Sequence, residues 1–135
     1  MEKGISKVSF MWVVIMVGFA MHMLADTLPA FWGVSLAMPG SNGTASTGMM
    51  IFMIAIAFNL PMCGILCMQY RSKKIMRTIN FVLATIMMIF NFLHASELIE
   101  EFNPVQLLIL PVMIVAGIYL FIFSRREMKQ QTTEK

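Results

Sequence analysis

Charge is what this chain has least of. Only 13% of its 135 residues are charged and 59% are hydrophobic, whereas a soluble domain is about a quarter charged. So small a globule leaves much of its surface exposed, so water is a poor solvent for this composition and a lipid bilayer is the expected partner. Cysteine is scarce too. Cys63 and Cys67 are too few for a disulfide framework, and four residues apart on a helix they point along one face rather than at each other. No run of basic residues interleaves with aromatics, so the net charge of +3 does not point to nucleic acid. There is no internal repeat and no recognisable nucleophile motif, so the chain reads as non-enzymatic.

What is abundant is long apolar runs. A helix crosses a hydrocarbon core with about 20 apolar residues, and in lipid a backbone must satisfy its own hydrogen bonds. Four runs qualify as helices, at 8–25, 48–68, 75–95 and 105–123. The expected fold is therefore all-α: residues 1–135 form one four-helix transmembrane bundle. The first apolar run is longer than a signal-peptide core and lacks a clean small-x-small site, so cleavage is not expected. Residues 26–47 form a long connection. Its early part, from Leu28 to Met38, is apolar but too short to cross, and Phe31 and Trp32 suit the headgroup level.

Basic residues near span ends stay in the cytoplasm. Lys3 and Lys7 precede span one. Arg71, Lys73, Lys74 and Arg77 lie around the connection between spans two and three. Arg125, Arg126, Lys129 and Lys135 follow span four. These are all ten basic residues. The other two connections carry only acids: Asp26, Glu97, Glu100 and Glu101. Both termini are thus expected in the cytoplasm, with an acidic outer face. Small multidrug exporters share the four-span size, but they use a mid-span carboxylate and weak orientation bias, and this chain has neither.

Small and polar residues mark helix contacts in lipid. Span two offers Gly48, Ala55, Asn59, Cys63 and Cys67, and span three offers Asn80, Ala84, Asn91 and Ala95. Span one has Gly18 and His22. Span four has little beyond Pro111 and Gly117 and is expected to be the most lipid-exposed, free to dock a second copy or another membrane protein. Pro61 should disturb span two near Ala57, leaving Asn59 beside a weak point. Met49, Met53 and the Met21-His22-Met23 triplet stand out among the sixteen methionines, because thioethers are soft ligands.

The chemistry concentrates at the outer ends of spans one and three. His22 lies fifteen residues past Lys7 and His94 seventeen past Arg77, so their depths should differ by about 3 Å. Asp26 shares a helix face with His22, and Glu97 with His94. Asn59, Asn91, His22, Asp26, His94 and Glu97 are therefore the candidate ligand-binding residues. The last four form a candidate metal set, since two His and two carboxylates suit Zn²⁺ or a similar ion. Matched depth also suits a b-type haem held axially by His22 and His94.

Several motifs resemble a family of small uncharacterised bacterial membrane proteins with four helices. They are Val8-Ser9 with Trp12 opening span one, Ala25-Asp26 closing it, Pro39-Gly40, Pro61, and Arg77 with Asn80 opening span three. The resemblance implies a bacterial inner membrane and brings no activity or cofactor. Where that family is expected to have an acid two residues before the span-two proline, this chain has Asn59. The leading expectation is an accessory or interaction subunit with no cofactor. The alternative is a small-ligand, metal or haem binding or transport protein that uses the outer His/carboxylate cluster.

Overall fold

The computed structural model describes residues 5–37, 40–44, 46–96 and 104–129. Among them every regular element is helical. Helix α1 is Lys7–Thr27, α2 is Thr47–Gln69, α3 is Lys74–Ala95 and α4 is Gln106–Lys129, each long and apolar enough to cross a membrane. Ser6 caps α1 by accepting the Ser9 N–H at 3.0 Å, and Ser46 caps α2 through the Met49 N–H. Each serine satisfies a donor that the first turn leaves orphaned. After α1 the chain makes a short 3-10 turn, Leu28–Trp32, with Phe31 and Trp32 fully outward.

Pro61 leaves its mark on α2. It has no N–H to give, and its ring crowds the carbonyl four residues back. The helix answers by widening into a π turn over Ala55–Asn59 before resuming at Leu60.

The helices form a ring. α1 packs on α2 and α4, and α3 packs on the same two. Hydrogen bonds join the diagonal pair α1 and α3 near both ends. Near one end the Trp12 indole N–H donates to Asn80 Oδ1 at 2.8 Å, and Asn80 Nδ2 donates to Ser124 Oγ at 2.9 Å. Asn80 and Ser124 are fully buried, so this clasp satisfies groups that would be costly unpaired. Replacing Asn80 with leucine should lower stability by about 1–2 kcal/mol, measured by denaturant titration in detergent. Lys7, Arg71 and Arg126 gather at the same end.

Two expectations about packing are corrected. The stripe on span two faces outward: Gly48, Asn59 and Cys63 are exposed, and Ala55 and Cys67 are only half-buried. The inward face is instead Ala57, Pro61, Gly64 and Met68. Gly64 seats the Trp12 ring so closely that a Cβ there would lie 2.2 Å from Trp12 Cε2. That fit selects the face. The second correction concerns the helix with the least cover, which is α2 rather than α4: Thr47–Ile54 contains no buried residue. α4 is drawn inward by Leu110, Met113, Ala116, Gly117, Leu120 and Ser124. A Cβ on Gly117 would sit 2.9 Å from the Asn91 amide nitrogen. On span three, Asn80, Ala84 and Asn91 are buried.

Candidate functional site

A polar cluster closes the end of the bundle opposite Lys7. α1 contributes His22 and, one turn later on the same face, Asp26. α3 contributes His94, and α4 contributes Gln106 from its first position. His22 and Gln106 are buried at 8% and 4% exposure, so each of their polar atoms needs a partner.

The Gln106 amide organises the cluster. Its Nε2 donates to Asp26 Oδ1. Its Oε1 is therefore the acceptor 2.7 Å from His22 Nδ1, which fixes the proton of His22 on Nδ1. A neutral His22 then presents a bare lone pair at Nε2. That nitrogen lies 2.9 Å from His94 Nε2 and 3.3 Å from Asp26 Oδ2. The two imidazoles meet nearly edge to face, at 83°. Phe90 stacks on His94 at 15° and 5.7 Å, and Phe19 flanks it, holding its ring in place.

His94 Nε2 and Asp26 Oδ2 thus approach the same ring nitrogen of His22, and the Asp26 side chain is half exposed. Beside the cluster lies a cavity of ≈ 90 Å³, whose lining includes both histidines, Asp26, Met23, Met53 and Ala57 of the π turn.

Of the residues singled out in the sequence, His22, His94 and Asp26 are thus brought together. Glu97 lies outside the described residues. Asn91 is buried near His94 on α3 but turns away, donating from Nδ2 to the Met113 carbonyl at 3.0 Å. Asn59 is exposed on α2 and is not in the cavity wall. Of the conspicuous methionines, Met23 and Met53 reach the cavity while Met21 and Met49 do not. Sequence reasoning missed Gln106. Its signal was a polar amide placed just inside an apolar run, at the end where the histidines lie. Among the described residues no group of three or more His, Cys, Asp or Glu side chains is arranged to hold a metal ion.

No family model, curated protein or solved structure matches the chain.

Proposed function

We propose that this chain is an integral membrane protein that binds one transition-metal ion between His22, His94 and Asp26. Its four helices cross the bilayer with both termini in the cytoplasm. The bilayer suggested by the resemblance is a bacterial inner membrane, and the site then opens toward the outer compartment. The apolar exterior supports insertion: Leu66, Ile86, Val112 and Leu108, on three of the helices, point outward at 44–77% exposure. The gathering of Lys7, Arg71 and Arg126 at the other end supports the orientation. A reporter fused after Lys135 should be active only in the cytoplasm.

The observation that supports the metal reading is the closeness of the donor atoms, His22 Nε2 lying 2.9 Å from His94 Nε2 and 3.3 Å from Asp26 Oδ2. Gln106 orients both His22 and Asp26 from behind, as outer-shell partners of metal ligands do. With metal–nitrogen bonds of about 2.0–2.1 Å, tetrahedral neighbours stand about 3.3 Å apart. The 2.9 Å and 3.3 Å separations here need only a few tenths of an ångström of opening. Axial ligation of haem needs the nitrogens about 4 Å apart, with a macrocycle between rings that now touch. The geometry therefore favours a bare ion over haem. The soft thioethers of Met23 and Met53 in the cavity wall widen the choice from Zn²⁺ to Cu(I). Elemental analysis and equilibrium dialysis of tag-free protein in mild detergent test this. One ion per chain, lost in a His22→Ala/His94→Ala variant of unchanged helix content, supports it. Failure of the wild type to retain either metal at micromolar concentration overturns it and leaves the cluster a structural clasp.

The outward face of α2 favours a second reading, the accessory subunit. Asn59 is exposed there with no hydrogen-bond partner among the described residues, and such an amide is costly in lipid. A second copy or another membrane protein would cover it at α2, not at span four. Oxidative cross-linking through the exposed Cys63 should then trap a disulfide-linked pair in membranes; only monomer on a non-reducing gel argues against a second copy.

A further inference from the structure

We propose that one anionic phospholipid binds in the seam between α1 and α4, on the assumption that these helices cross a bilayer. The headgroup site is a cleft of ≈ 430 Å³ at the basic end, where Lys7, Arg71 and Arg126 meet. None of the three pairs with a carboxylate among the described residues, and Glu127 is the one acid in the cleft wall. α1 begins here with no acid in its first turn, so its positive dipole end and Lys7 reinforce each other and call for an anion. The Lys7 ammonium rests over the Phe123 ring, 5.9 Å from its centroid, which holds it at the cleft.

A second, independent feature lies further along the same seam. Val14, Gly18, Met21, Ile109, Val112 and Met113 line much of an almost wholly apolar groove of ≈ 340 Å³. At 100° per residue, Lys7, Val14, Gly18 and Met21 fall within about 60° of one another on α1. Ile109, Val112, Phe123 and Glu127 do the same on α4, again within about 60°. Lys7 thus lies on the groove's side of α1, and Phe123 and Glu127 on the groove's side of α4, with Arg126 about 100° round from Glu127. Counting 1.5 Å per residue, the groove lies about 10–20 Å from Lys7 along α1 and about 20–27 Å from Arg126 along α4, so its near end falls within the roughly 15 Å of one hydrocarbon leaflet. A phosphate attached to an acyl chain fits both halves; free phosphate fits only the first. Basic pockets between membrane helices on the cytoplasmic side are known sites for such headgroups.

The test is native mass spectrometry of the full chain released from nanodiscs of phosphatidylglycerol or of phosphatidylcholine. One retained phosphatidylglycerol per chain is expected, with little phosphatidylcholine. With about 1 kcal/mol for each basic residue, a Lys7→Gln/Arg71→Gln/Arg126→Gln variant should bind about 100-fold more weakly. If that variant does not fold, Arg71→Gln alone, in the connection after α2, should weaken binding about fivefold. Arg125→Gln, outside the cleft wall, should change little. Equal retention of both lipids, or undiminished retention in the variants, overturns the proposal. So does saturation of the cleft by millimolar inorganic phosphate with no lipid retained, which would mark a free-anion site. Metal content is unaffected by any of these outcomes, so this proposal stands or falls separately from the ion site.

Discussion

Replacing His22 with alanine is expected to weaken Zn²⁺ binding by more than about 100-fold, the largest loss from any single change in the cluster. His22 is the hub: it bonds Gln106 through Nδ1 and meets both His94 and Asp26 at Nε2. Removing it deletes a ligand and also leaves the buried Gln106 carbonyl without its donor. Gln106→Leu touches no metal. It releases the His22 tautomer and the Asp26 rotamer, and should cost about 10–100-fold, the usual effect of an outer-shell partner. Asp26→Asn keeps the shape and removes the charge, so it should fall between the two. Isothermal titration of each variant with Zn²⁺ gives the order. Equal, small effects across all three would mean that the bound ion sits elsewhere. Because ligands must be deprotonated, binding should also release protons, which the buffer dependence of the same titration reads.

Gly64→Ala is expected to be among the most destabilising single methyl additions in the chain. The new Cβ would lie 2.2–2.7 Å from three atoms of the Trp12 ring, whereas ordinary contact is about 3.5–4.0 Å. Trp12 is fully buried and tied to Asn80, so it cannot swing aside without abandoning that bond. Overpacking of this sort costs about 1–3 kcal/mol, and the broken indole hydrogen bond adds about 1 kcal/mol. Gly48→Ala makes the contrast, since its Cβ meets only Ser46 Oγ at 3.9 Å; it should be neutral or slightly stabilising. A Trp12→Phe substitution on the Gly64→Ala background should recover part of the loss by vacating ring volume. Denaturant titration followed by circular dichroism measures all three. A Gly64→Ala protein as stable as Gly48→Ala would contradict the packing of α2 on α1.

The contrast between these glycines also explains what the sequence could and could not reveal. Hydrophobic length made the four helices legible, and counting from Lys7 and Arg77 put His22 and His94 at matching depth, where they meet. The faces of α2 were not legible by the same arithmetic. A π turn inserts a residue into the helical repeat and rotates everything beyond it by about 100°. Spacing counted across that turn therefore does not predict which residues of Leu60–Gln69 share a face with those of Thr47–Ile54. What decides the face is a single long-range fit, Trp12 into Gly64, and no local pattern encodes that partnership. Gln106 escaped notice for a related reason. Just past Asn103-Pro104 a lone amide reads as a boundary residue, and only the approach of α4 to α1 makes it the group that orients His22 and Asp26.

X-ray absorption at the zinc edge, on tag-free protein loaded with one equivalent of Zn²⁺, probes the convergence of these donors most directly. The account predicts two imidazole scatterers at about 2.0 Å with the remaining ligands oxygen or water, falling to one imidazole in His94→Ala. A first shell of oxygen alone, or an imidazole count unchanged by that substitution, would contradict it.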